Sequence, residues 1–216
     1  MIYLLDYDAG NLLSIKRALK YLEFQFLTIN EVDQLSKKDV LLIPGVGSFA
    51  SASKRVEKYG LLDLAKKPPD MRPYILGICL GMQLIMTRGF EGHLSMGLNL
   101  IEGEVDSIFN LKPKNINIPK TIIGWESFQL NKELDYRLKW LKNYENKYFY
   151  HVHSFMCIPK NKEKIIASYP NELSFIPNII GDLENRVLGF QFHPEKSGSV
   201  GLNLLKEMIN FAIESK

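Results

Sequence analysis

Three residues of this 216-residue chain have the types and the setting for nucleophilic chemistry. They are Cys79 in "LGICLGMQL" and His193 and Glu195 in "GFQFHPEKS". A cysteine nucleophile needs a base, and the base needs a third group that fixes its tautomer and orientation. His193 ends an apolar run and can serve as the base. Glu195 stands two residues on, where a short turn can return its carboxylate to the imidazole. Cys79 has glycines at positions −2 and +2, the pattern a tight strand-to-helix elbow requires. A helix N-terminus there would favour the thiolate. Taken singly, each has a plainer reading: a small core residue, a strand-end histidine and a solvated acid. Three matches at strand ends favour the chemical one. "IPGVGSF" (43–49) adds glycines at another strand end, where backbone N–H groups can face an oxyanion together with the Leu80 N–H. An ordinary Pro-Gly turn is the alternative there.

The elements that must position these residues follow from hydropathy. "IYLLDY" (2–7), "FQFLTI" (24–29), "VLLIPG" (40–45) and "YILGI" (74–78) read as buried strands, the third stopped by Pro-Gly. "NLLSIKRALKYL" (11–22) puts Leu12, Ile15, Leu19 and Leu22 on one helical face. Residues 51–65 read as a helix, and "LGMQLIMTRG" as helical up to Gly89. Strand–helix alternation with strands apolar on both faces predicts a parallel sheet covered by helices. Ligands gather at the carboxyl ends of such strands. The second half is β-rich, with strand-like runs at 103–109, 121–130, 147–158, 164–170, 173–180 and 186–192. It closes on an amphipathic helix with Leu204, Leu205, Met208, Ile209 and Ala212 inward. With neither repeat nor linker, the expectation is one α/β domain over 1–216, its central sheet mostly parallel.

Bulk properties narrow the function classes. Hydrophobic residues make up 46% and charged residues 24%, a globular balance. The net charge of +3 is scattered over short, interrupted lysine patches, which does not favour nucleic-acid binding. No run approaches a membrane span, and the start, acidic by Asp6, does not resemble a signal peptide. The expectation is a cytoplasmic chain with reduced thiols. Two cysteines and four histidines show no zinc-type spacing, so neither metal nor cofactor is expected.

"GICLGMQ", "GFQFHPEKS", "PGVGSF" and "DYDAGN" together resemble the class I glutamine amidotransferases. Within that family the chain is similar to the glutaminase subunits of imidazole glycerol phosphate synthase, in histidine biosynthesis. The likeness spans nearly the whole chain with the motifs in the same order. "DYxxGN" (6–11), "HSF" (153–155) and "HPEKSGxVGLxLL" (193–205) carry the narrower resemblance. It implies a flavodoxin-like domain that hydrolyses L-glutamine. Cys79 would attack the side-chain amide. Gly45 and Val46, with Leu80, would stabilise the oxyanion. His193 would protonate the departing ammonia, and Glu195 would orient His193. Gln83 would hold the substrate, and His153, Ser154 and Phe155 would line its pocket. His151 is left as strand surface. Ammonium is not nucleophilic, so ammonia must pass to a partner out of bulk water. The resemblance implies a heterodimer with a (β/α)8-barrel cyclase that makes imidazole glycerol phosphate and AICAR, contacted by Asn11, Trp125 and Lys196.

One segment departs from the family pattern. Where that pattern has Pro-His-(Met/Ile)-Gly-Trp-Asn, this chain has Thr121, Ile122 and Glu126 at the Pro, His and Asn positions. The family uses this segment for the partner, so the departure suits paralogous glutaminase subunits that feed cell-surface sugar amination. Two further classes compete: a cysteine peptidase or γ-glutamyl hydrolase on the same scaffold, and a non-catalytic binding subunit. "GMQ" and "HPEKS" favour glutamine over the first. A complete Cys79, His193 and Glu195 set disfavours the second.

Overall fold

In a computed structural model, which describes residues 1–8, 12–115 and 119–215, the apolar runs of the first half pair as parallel strands. β1 (Ile2–Leu5) leads into α1 (Leu12–Tyr21), then β2 (Phe26–Ile29) and β3 (Val40–Gly45). α2 (Phe49–Lys58) and α3 (Leu61–Lys66) precede β4 (Tyr74–Cys79) and the short α4 (Leu80–Leu84). The chain continues through β5 (Met86–Gly89), β6 (Ser95–Met96), β7 (Ile101–Ser107) and α5 (Ile108–Leu111). The remaining strands are β8 (Ile122–Glu126), β9 (Gln129–Leu130), β10 (Phe149–His153), β11 (Phe155–Pro159), β12 (Ile165–Ser168), β13 (Pro177–Asp182) and β14 (Val187–Phe190). α6 (Gly198–Glu214) closes the fold.

The main sheet runs β2-β1-β3-β4-β14-β13-β12-β9. Its first five strands are parallel to their neighbours and the last three antiparallel. Strand alternation explains the unbroken apolar runs. Val40, Leu42, Leu76 and Ile78 pack toward Ile15 and Leu19 of α1 and Leu204, Leu205 and Met208 of α6. Leu41, Ile43 and Ile75 face the other way, onto Phe49, Val56, Leu61, Met82 and Ile85. Strands covered on both faces need apolar residues at every position.

Several boundaries differ from expectation. The 51–65 helix is two helices, broken at Gly60, which adopts φ +73°. β3 keeps the expected bounds 40–45, with Gly45 still pairing with Cys79. The helix expected up to Gly89 ends at Leu84. Residues 86–89 become β5, pairing with β6 and β7 in a second sheet, β11-β7-β5-β6. The run 147–158 breaks at Ser154, because β10 pairs with β8 while β11 pairs with β7. The run 173–180 starts as a strand only at Pro177, after a 3-10 turn at Asn171–Leu173. Among the described residues, no helix is long and apolar enough to cross a membrane, and no cluster of three or more His, Cys, Asp or Glu could hold a metal ion.

Candidate active site

β4 ends in a strained elbow. Cys79 adopts φ +54° and ψ −109°, a conformation side chains other than glycine rarely take, and α4 starts at the next residue. The flanking glycines are sterically required. A Cβ on Gly77 would lie 2.6 Å from the Gly81 carbonyl oxygen, and one on Gly81 would overlap the Ile43 carbonyl. Cys79 is not thrown open to solvent, however; it is 5% exposed and lines a cavity of about 250 Å³.

β14 lies beside β4 with Phe190 opposite Ile78, so the segment after β14 emerges next to the elbow. His193 begins the 3-10 turn Pro194–Lys196, which folds Glu195 back onto the ring. His193 Nδ1–H donates to Glu195 Oε1 at 2.9 Å with both side chains buried. The backbone of His193 is pinned to β10, its N–H donating to Tyr150 O at 2.9 Å. Burial alone would lower the His193 pKa. The Cys79 sulfur and the Glu195 carboxylate outweigh it and raise the group to about 10, so the ring is imidazolium at neutral pH.

The cavity is lined by backbone and side chains from five segments. Val46 and Gly47 come from the end of β3, and Cys79, Leu80 and Gln83 from the elbow and α4. His153, Ser154 and Phe155 come from the β10–β11 break. Of the three expected oxyanion residues, Val46 and Leu80 line the cavity, whereas Gly45 lies one residue back inside β3, with the Tyr7 hydroxyl against its α-carbon. Gln83 Nε2 donates to Phe155 O and to Gln191 Oε1, each at 3.3 Å. His153 donates through Nδ1 to Phe155 O at 2.9 Å and accepts from the Tyr169 hydroxyl at 2.8 Å.

Other side chains at the site were missed or misplaced from sequence. Glu91, in the loop after β5, brings a carboxylate to the cavity and accepts from Phe49 N–H at 2.6 Å. No spacing signal marks it. Thr121 lines the cavity and hydrogen-bonds Ser154 Oγ at 2.7 Å, so the divergent segment is not confined to a partner surface. Gln191 donates to Cys79 Sγ at 3.7 Å; its place two residues before His193 was the available clue. His151 is not strand surface: it is fully buried, with Phe149 O at Nδ1 and the Asn178 side-chain amide at Nε2.

Beside His193, Trp125 is 53% exposed and packs edge-on against Tyr150, its cross-strand partner. Lys196 Nζ stands 5.9 Å from the centroid of the same Tyr150 ring. With Ile123, also exposed, they form an apolar and cationic patch next to His193. Asn11 lies outside the described residues. A larger groove of about 660 Å³ lies away from this site, and its charged walls are internally paired through Arg137–Asp135, Arg137–Glu184 and Lys164–Asp182.

An elbow cysteine, a carboxylate-bound histidine and a shared sheet end define a hydrolase of the glutamine amidotransferase kind, and the chain belongs to the class I glutamine amidotransferase family, whose model matches residues 3–210. The solved PurLQS structure from Thermotoga maritima shares the fold, with a TM-score of 0.67 at 15% identity over 97% of each chain. Among curated relatives, the chain is 39% identical to "Imidazole glycerol phosphate synthase subunit HisH 1" of Campylobacter jejuni strain 81-176, over 98% of this chain and 99% of that one. It is 35% identical to the HisH subunit of Caldanaerobacter subterraneus, over 95% and 96%.

Proposed function

We propose that the chain is the glutaminase subunit of an imidazole glycerol phosphate synthase. The observation that carries this is the buried Glu195–His193 pair, set beside an elbow cysteine on a cavity sized for one amino acid. Glutamine enters with its side-chain amide at Cys79. Glu91 is the acidic group that can receive its α-ammonium. Cys79 Sγ bonds to the amide carbon, and the oxygen takes the negative charge under the backbone N–H groups near Val46 and Leu80. The imidazolium of His193 gives its proton to the departing nitrogen as the C–N bond breaks, releasing ammonia and leaving a thioester. Neutral His193 then takes a proton from water, whose oxygen attacks the thioester and releases glutamate. Glu195 holds the ring in place through both steps. The net change is glutamine plus water to glutamate plus ammonia.

The cyclase docks over Trp125, Tyr150 and Lys196. Exposed aromatic and cationic anchors of this type carry binding energy at interfaces. Docking there receives ammonia beside the site that makes it, in keeping with a cytoplasmic heterodimer. A second reading, a paralogue serving cell-surface sugar amination, is favoured by the divergence at Thr121, Ile122 and Glu126.

The test is Cys79→Ala in the complex with the cyclase. Glutamine-dependent synthesis of imidazole glycerol phosphate should vanish while synthesis from ammonium salts continues. Loss of both activities would make Cys79 structural. A wild-type chain that neither binds the cyclase nor releases glutamate with it would move the assignment to the second reading.

A further inference from the structure

The roles above leave unexplained a buried amide that touches the nucleophile. Gln191 is fully buried one residue beyond β14. Phe190 pairs with Ile78, so the next step of the parallel register sets Gln191 beside Cys79. The orientation of its amide is dictated by a chain of hydrogen bonds. Phe155 O can only accept, so Gln83 must turn its Nε2 toward it. The second hydrogen on that nitrogen needs an acceptor, so Gln191 must present Oε1 to Gln83. Gln191 Nε2–H is left facing Cys79 Sγ. A flipped Gln191 would oppose two amide nitrogens in a dry site and leave donors unmade.

We propose that Gln191 is a positioning residue for the nucleophile, holding Cys79 Sγ with its N–H while its carbonyl locks the Gln83 amide on the cavity wall. This rests on the glutaminase reading. With both Gln83 hydrogens committed to protein oxygens, Gln83 meets the substrate through its carbonyl oxygen, an acceptor suited to an ammonium or amide N–H. One buried side chain thereby sets the attacking atom and a substrate contact together. A donor to sulfur supports negative charge there, and that charge leaves the sulfur as the C–S bond forms. Gln191 therefore acts mainly on alignment and on reactivity of the resting site.

The test is alkylation of the full chain by iodoacetamide as a function of pH, with Cys79 followed by peptide mass spectrometry. It is paired with glutamine hydrolysis in the cyclase complex. Gln191→Met keeps the volume and removes both polar ends. Alkylation at pH 7 should slow about tenfold, the scale of one hydrogen bond to a charged group. The profile should move to higher pH, kcat should fall, and KM for glutamine should rise through the released Gln83. Gln83→Met leaves Gln191 in place without its orienting partner, and should move the profile the same way by less. It carries the test should Gln191→Met fail to melt cooperatively. Folded variants that alkylate with the wild-type profile would overturn the proposal. Alkylation requires no turnover, so an expected shift in a chain that hydrolyses no glutamine would sink the glutaminase reading and leave Gln191 in its role.

Discussion

His193 and the pair His151 and His153 are neighbours, all buried, and the fold drives them in opposite directions. Burial lowers His151 to about 4 and His153 to about 3, and their hydrogen-bond partners are neutral: backbone carbonyls, an asparagine and a tyrosine hydroxyl. The same burial acts on His193, but a carboxylate and the cysteine sulfur reverse it and raise the group to about 10. Residue type is therefore no guide to role here. The charge of the partner decides which histidine carries a proton at neutral pH and which serves as a neutral strut.

Removing the charged histidine is the most severe way to break this contrast. His193→Asn should lower glutamine hydrolysis by about 10³-fold, the scale of general acid–base catalysis, and should also lower the melting temperature near neutral pH, because the buried Glu195 carboxylate loses its charged partner. Steady-state glutamate release in the complex measures it. Glu195→Gln comes next. Without the carboxylate one of the two partners that raise the ring is gone, so the His193 resonance should titrate lower by NMR. Activity should fall by about 10²-fold. An unchanged titration would mean that Cys79 alone sustains the imidazolium.

The neutral pair should show in stability instead. His153→Phe leaves the Tyr169 hydroxyl without its acceptor, at a cost of about 1–3 kcal/mol in urea unfolding. The smallest effect is a pair of pH slopes. His151 and His153 have folded values below the unfolded 6.5, so their contribution is complete above pH 6.5. It falls as pH drops below that, by about 1 kcal/mol per unit for each, levelling off near 4 and 3. His193 has the opposite sign: its contribution is complete below pH 6.5 and is lost as pH rises toward 10. Urea midpoints against pH should therefore show two flanks. His153→Phe should flatten the acid one and His193→Asn the alkaline one. A flank that survives its own substitution would assign that slope to other groups.

Much of this contrast was legible in advance. Cys79, His193 and Glu195 were marked because each sits at the end of an apolar run, and an i, i+2 carboxylate can reach an imidazole across one short turn. The parallel half was legible because strands covered on both faces must be apolar throughout. Residues 86–89 carry no strand signal in the sequence, because their pairing with β6 and β7 is non-local and leaves no periodic signature. His151 was read as surface because alternation along a strand shows two faces without saying which is covered. Here Asn178 and Phe192 close over it. Glu91 and Thr121 reach the cavity from loops, where no period constrains a side chain.

The sequence by itself determined the chemistry this chain can attempt. It holds one cysteine between obligatory glycines, a histidine with an acid two residues further on, and the apolar strands that end beside them. These are local facts, and local sterics enforce them. Only the tertiary structure decided the electrostatics. It set β14 against β4, brought the Glu91 carboxylate to the cavity, turned the Gln191 amide onto the sulfur and surrounded two other histidines with neutral partners. A proton's affinity depends on every charge and dipole within a few ångströms, and those neighbours come from distant parts of the chain.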